Sequence, residues 1–186
     1  AEEDQEEILT AVTKALKQVI SYLDLKRDNL RGVSFSSANQ SLIVLDKNHR
    51  PLTRVQTWGD TRSAKYAAQI KNSARGQSIY EKTGTPIHPM SLLCQILWLK
   101  NERPDIYKKA AYYCGIKEYI FYRLFGVWQM DISVASCTGL FNIFQQKWEQ
   151  EALKVAGVSE EQLPPVVDAY HQFTGLKDES VKKTGC

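Results

Sequence analysis

Ile8, Leu9, Val12, Leu16, Val19, Ile20 and Leu23 recur at helical spacing, with Glu, Lys, Gln and Ser on the facing positions, so the chain opens on an amphipathic helix. A polar run over 24–29 follows. Residues 30–35 then read as a buried strand and 42–45 as a second one antiparallel to it. Residues 46–50 carry turn chemistry and 51–57 return as a third strand, so a three-stranded meander is predicted after the helix.

From residue 60 onward the period changes, and helices are predicted over 60–74, 89–101, 104–110, 117–125 and 148–156. Asp60 suits an N-cap, and Pro104 fits the first turn of its helix. Residues 111–114 and 140–143 are short strand candidates. After a helical piece at 159–163, Pro164 and Pro165 lead into an extended tail. The architecture expected is α/β, a mixed sheet with helices stacked on it. There is no internal repeat or low-complexity linker. Both ends read as cut from a longer protein, because the opening helix needs a partner for its apolar face and the chain stops after a polar run. A small complete domain is the alternative.

Composition narrows the class without naming a function. At 186 residues the chain suits one domain, which at this size buries roughly 70% of the surface its unfolded form exposes. An apolar share of 43% with 24% charged residues argues against disorder. The net charge of +3 is dispersed, with no basic stripe to track a phosphate backbone, so no nucleic-acid partner is expected. Apolar stretches such as 38–45 and 89–99 fall short of the ~20 residues that cross a bilayer. The start carries acidic residues (Glu2, Glu3, Asp4, Glu6, Glu7) where a secretory signal would be basic, which points to the cytoplasm. Cys94, Cys114, Cys137 and Cys186, like His49, His88 and His171, are too dispersed for a metal or redox motif, so no metal site is expected.

Three polar segments sit where sheet-containing folds build sites. In 34–41, between two apolar runs, small residues permit a close turn, and Asn39 and Gln40 offer amides suited to neutral hydroxyls. In 57–63, Trp58 offers a plate for a sugar face, Asp60 can accept from two hydroxyls, and Arg62 can grip a carboxylate in a bidentate fork. In 83–90, Gly84, Pro86 and Pro89 shape a loop from which His88 can reach a cleft. The alternatives are an ordinary polar loop for the first, an Asp–Arg pair over a packed Trp for the second, and a structural histidine for the third. Asp131, with Ser133, Ser136 and Thr138, is explained most simply as a helix cap.

The order of segments says more than any one of them. Residues 32–46, then Pro51-Leu52, then Thr57-Trp58-Gly59-Asp60-Thr61-Arg62, resemble the FGGY carbohydrate kinase pattern, in which a sugar-binding loop precedes a strand, a Pro-Leu and a Trp-x-Asp-x-Arg stretch. Leu97-Trp98-Leu99-Lys100 with Glu102-Arg103-Pro104, Lys117-Glu118-Tyr119 with 122–126, and Asp131 with 135–141 resemble the rest of that family's first domain. Ser36-Ser37-Ala38 followed by Ser41 is most similar to gluconate kinases, with a departure at Asn39 and Gln40, where Met and His are usual. Xylulose and glycerol kinases are the nearest competitors.

The resemblance implies a ribonuclease-H-like, actin-like fold of two domains, of which residues 1–186 are most of the first. It implies a small-molecule sugar or sugar acid bound near Asn39, Gln40, Trp58, Asp60, Arg62 and His88, with ATP and Mg2+ in the full-length enzyme and none held tightly by this chain. It also allows a homodimer. The family's Asp-Gly-Thr-Thr phosphate hairpin is expected before Ala1 and its catalytic aspartate beyond Cys186, so no catalytic residue is assigned within this chain. A non-catalytic sugar-binding or interaction module is the competing class. A nuclease of the same broad fold fares worse, because two-metal cleavage needs several carboxylates converging from strand ends.

Overall fold

The computed structural model describes residues 1–23 and 31–184. The first half runs β1 (Glu2–Glu3), α1 (Gln5–Ser21), β2 (Ile43–Leu45), β3 (Val55–Gln56), α2 (Ala64–Lys71), α3 (Ala74–Thr83), α4 (Leu92–Glu102) and α5 (Pro104–Tyr107). The second half runs β4 (Tyr112–Cys114), α6 (Ile116–Phe125), β5 (Met130–Asp131), α7 (Ile132–Ala135), β6 (Phe141–Asn142), β7 (Lys147–Trp148), α8 (Gln150–Ala156), a 3-10 turn (Glu160–Gln162), β8 (Val166–Val167) and α9 (Asp178–Thr184).

The segment 42–45 organises the packing. Its four side chains are fully buried and alternate between two cores, as strand geometry requires. Leu42 and Val44 join a cluster built on α4 and α8, whereas Ile43 and Leu45 join one built on β4 and α6. At about 2 kcal/mol per buried aliphatic side chain, this segment more than offsets the ~1–2 kcal/mol per residue lost in ordering its backbone. The predicted helix at the start is α1, capped by Asp4, whose side chain accepts from the Glu6 and Glu7 amides. Its stripe of Ile8, Leu9, Val12 and Leu16 packs on the second cluster.

The structure corrects the meander. β2 pairs antiparallel not with a strand over 30–35 but with β4, Ile43 facing Cys114 and Leu45 facing Tyr112. Leu30 lies outside the described residues, and 31–38 form no regular structure. Arg31 to Ser34 are exposed there, so no core draws that segment into a ladder. Residues 42–56 do fold back on themselves, through bridges of Leu42 with Gln56 and Leu45 with Pro51. In place of one mixed sheet, the described residues hold four two-stranded ladders, of which only β5 with β8 is parallel.

Helix α2 starts at Ala64, so Asp60 is not its cap; Ser63 holds that position. The predicted 60–74 helix breaks at Asn72 and Ser73, and α3 is a separate helix capped by the Ser73 hydroxyl. A Cβ on Gly76 would lie 2.1 Å from the Ile70 carbonyl oxygen, so the α2–α3 corner packs backbone on backbone.

Candidate functional site

Four loops meet around the first turns of α4. From 36–41, the Gln40 amide donates to the Cys137 carbonyl at 3.3 Å, and the Asn39 amide reaches the Cys137 sulfur at 3.6 Å. From 84–91, the Thr85 hydroxyl donates to the neighbouring Ser136 carbonyl at 2.7 Å. The loop 136–139 is joined to α4 by the Leu93 amide, which donates to the Thr138 carbonyl at 3.3 Å. The loop 57–63 is held twice, by Gln95 of α4 donating to the Thr57 carbonyl and by the Ser63 hydroxyl donating to the Pro89 carbonyl at 2.6 Å.

The six residues singled out in the sequence fall into three positions on this surface. Asn39 and Gln40 sit together on Cys137, and Gln40 is left-handed (φ 57°), a conformation that costs a non-glycine residue free energy and that His49 and Gln146 share. Asp60 and Arg62 form the second position. The Asp60 carboxylate is 2% exposed and receives the Arg62 guanidinium at 2.7 to 3.0 Å. Arg62 also reaches Glu2 at 2.7 Å and stacks over the Trp98 ring at 4.4 Å. Burial pushes the Asp60 carboxyl up, but hydrogen bonds from the Arg62 side chain and amide oppose it and hold it below the ordinary carboxylate range. Trp58 stands beside this pair, 64% exposed. His88 forms the third position, exposed on its loop with its Nδ1 accepting from the Met90 amide. Among the described residues no hydrogen bond joins the Asn39–Gln40 pair to the Asp60–Arg62 pair; α4 connects them.

Sequence reasoning missed what lies beneath. Glu118 of α6 is 1% exposed, and its carboxylate accepts from the Gly115 amide at 2.9 Å. The Ser41 hydroxyl, at the end of the first loop, accepts from the next amide, Ile116, at 3.0 Å. The available signal was the Gly-x-x-Glu spacing of a capping box, disguised because glycine replaces the usual Ser or Thr at the N-cap. Asp131 is a helix cap, accepting from the Ser133 and Val134 amides at the start of α7, and it also pairs with Lys117 at 2.6 Å.

Burial, chiefly, pushes the Glu118 pKa up to about 7; Asp131 adds to the rise, while the Gly115 amide and Lys117 oppose it. A carboxyl whose folded pKa exceeds its unfolded value contributes stability that is complete below the unfolded pKa and lost as pH rises through the folded one. Stability is therefore expected to fall by on the order of 2 kcal/mol between about pH 4.5 and 7.5. Glu118→Gln should flatten that slope in denaturant titrations run across the range; an unchanged slope would assign it to other groups.

Residues 1–186 match the N-terminal domain of the FGGY family of carbohydrate kinases. The chain belongs to that family. It is 41% identical over 185 residues to a gluconokinase of Bacillus subtilis (strain 168), covering all of this chain and 36% of the relative. A solved gluconate kinase from Lactobacillus acidophilus superposes with a TM-score of 0.94 at 36% identity, over all of this chain and 37% of that one. A ligand-bound xylulose kinase from the same organism gives the same TM-score and identity. The mixed helix and strand architecture is thus that of FGGY kinase N-terminal domains, an actin-like ATPase fold, and the chain spans little more than a third of the length of these relatives.

Within this FGGY domain the converging loops form an open surface. The cavity beneath 37–41 measures about 10 Å3, room for one water at most. A larger one, about 420 Å3 between α1, α6 and α9, shares no lining residue with the loops. Among the described residues no group of three or more His, Cys, Asp or Glu could hold a metal ion, and no helix is long and apolar enough to cross a membrane.

Proposed function

We propose that this FGGY domain supplies the sugar side of an ATP-dependent kinase that transfers the γ-phosphate to a hydroxyl of gluconate. The observation that carries the reading is the match along the whole chain to a gluconokinase, together with a surface of side-chain amides and an exposed Trp; the Asp60 carboxylate, expected to accept from hydroxyls, is instead buried and engaged by Arg62. Asn39 and Gln40 keep their side-chain carbonyl oxygens for sugar hydroxyls while their amide nitrogens brace against Cys137. Trp58 packs on the sugar's apolar face, and His88 lies at the rim. Asp60 and Arg62 border the site as a pair. Two of the three guanidinium nitrogens of Arg62 already bond to Asp60 and Glu2, so a substrate carboxylate would meet Nη1.

In this reading ATP and Mg2+ are held mainly by parts of a full-length cytoplasmic enzyme outside these residues. The contribution of this domain is positioning: presenting one hydroxyl in fixed geometry is worth several kcal/mol of barrier in a transfer whose protein chemistry is mostly placement and charge neutralisation. A coupled ADP-release assay tests both halves of the proposal. The full-length enzyme should show its highest kcat/KM with gluconate among gluconate, xylulose and glycerol, and the 186-residue chain should show no magnesium-dependent turnover. A preference for xylulose or glycerol would overturn the substrate, and turnover by the isolated chain would overturn the division of labour.

A further inference from the structure

We propose that Glu118 is a positioning residue for the sugar loop, acting through the first turn of α6 without touching the sugar. The inference rests on the reading that Asn39 and Gln40 face the substrate. Helix α6 begins with amides that have no partner within the helix. Two of them are satisfied by adjacent but different sources: Gly115 by the Glu118 carboxylate, and Ile116 by the hydroxyl of Ser41. Ser41 immediately follows Gln40, so the loop bearing both candidate sugar ligands ends on the amide next to the one that Glu118 holds.

The junction is closely packed. A Cβ on Gly115 would lie 2.8 Å from the Glu118 carboxylate, 3.3 Å from the Ser41 hydroxyl and 3.4 Å from the Ser41 carbonyl oxygen. A side chain at Gly115 would press on the Glu118 carboxylate and displace it from the Gly115 amide. The small cavity below is lined by Ser37, Gln40, Ser41, Gly115 and Glu118, among others, so the underside of the loop faces the Glu118 carboxyl directly. The Ser37 hydroxyl oxygen is buried with no hydrogen-bond partner. The loop is therefore held at its end by Ser41 and at Gln40 by Cys137, and its Ser37 hydroxyl adds no anchor. Removing the Glu118 acceptor leaves the Gly115 amide buried and unpaired and lets the helix start shift. A shift of about 1 Å in a substrate-positioning group is enough to cost orders of magnitude in rate or affinity.

The groups facing Glu118 are Lys117 on its own helix, Asp131 at the end of β5, and Cys114 on β4, whose thiol is pushed up by burial and by the Glu118 charge. None of them can supply the hydrogen bond that the Gly115 amide needs. Lys117 is engaged with Asp131, Asp131 caps α7, and the raised thiol is neutral.

Steady-state kinetics of the full-length kinase test the proposal with four variants. Glu118→Ala should raise KM for gluconate about tenfold or more through displacement of the loop, with KM for ATP within about twofold of the parent. Glu118→Gln, which keeps an acceptor for the Gly115 amide, should restore KM to within about threefold. Ser41→Ala cuts only the link between loop and helix and keeps the proposal testable if Glu118→Ala fails to fold; it should raise KM for gluconate about threefold to tenfold. Gln40→Ala separates the two readings. A raised gluconate KM for Gln40→Ala with normal values for both Glu118→Ala and Ser41→Ala would overturn the positioning role alone. An unchanged KM for Gln40→Ala would overturn the sugar loop itself. Equal rises in the gluconate and ATP constants of Glu118→Ala would make Glu118 a general stability residue and also overturn the proposal.

Discussion

Asp60→Ala is expected to lower the stability of the domain by about 2–3 kcal/mol and its unfolding temperature by roughly 5–10 °C, the largest loss at any candidate site residue. The carboxylate is 2% exposed, and its substitution would strand an Arg62 guanidinium that stacks on Trp98. Breaking a fully buried pair costs about 3–5 kcal/mol, but Arg62 is 38% exposed and keeps Glu2, so water and that carboxylate recover part of the loss. The acid limb of the stability profile carries a second signature. Held below the ordinary carboxylate range by Arg62, Asp60 contributes stability that is complete above the unfolded pKa and lost as pH falls through the folded one. Asp60→Asn retains the shape and removes the charge, so it should flatten that limb while lowering the neutral-pH midpoint. Thermal unfolding by circular dichroism from pH 2.5 to 7 measures both. A midpoint for Asp60→Ala within 1 °C of the parent would mean that the pair contributes nothing and that burial of Asp60 is incidental.

That pair shows what a linear sequence can and cannot reveal. Asp60 and Arg62 lie two residues apart, so their pairing was one of two readings open from the start. The Glu2 contact, from 60 residues away, leaves no local trace. The same division runs through the fold. Helix α1 announced itself because burial of one face imposes a helical period, and the 42–45 segment because burial of both faces leaves an unbroken apolar run. The partner of β2 did not, because pairing with β4 is decided by tertiary packing some 70 residues later. Helix α3 was missed because its buried side is Gly76, Ile79 and Thr83, with one large apolar residue among them, and α9 because its buried side is Ser180 and Thr184. At the candidate site, the small-residue turn before an apolar run was the signal that marked Asn39 and Gln40 as candidates. Their anchor was invisible, since it is largely a backbone carbonyl, and any residue at position 137 would supply one.

Gly76→Ala is expected to be the most damaging single substitution outside the cores, costing about 3 kcal/mol or more and weakening gluconate binding at the proposed sugar surface without touching it. The added methyl carbon would lie 2.1 Å from the Ile70 carbonyl oxygen, 2.8 Å from its carbon and 3.2 Å from the Lys71 Cα. All three are backbone atoms at the end of α2, so no rotamer change relieves the overlap, and α2 and α3 must move apart. The Ile70 carbonyl also receives the Ser73 amide and hydroxyl that set the corner, so those bonds are strained in the same movement. The other end of α2 is Ser63, whose hydroxyl holds the loop 57–63 against Pro89, which ties the corner to Trp58, Asp60 and Arg62. Gly32→Ala is the control, because a Cβ there meets nothing within 4 Å and the backbone is not left-handed. It should change stability by no more than about 1 kcal/mol, through the unfolded chain alone. Paired denaturant titrations and gluconate titrations of the two variants decide the matter. Equal small effects would show that the α2–α3 corner yields at little cost and does not brace the site; a large loss in Gly76→Ala alone would identify backbone contact at the corner as the support on which the Trp58–Arg62 segment rests.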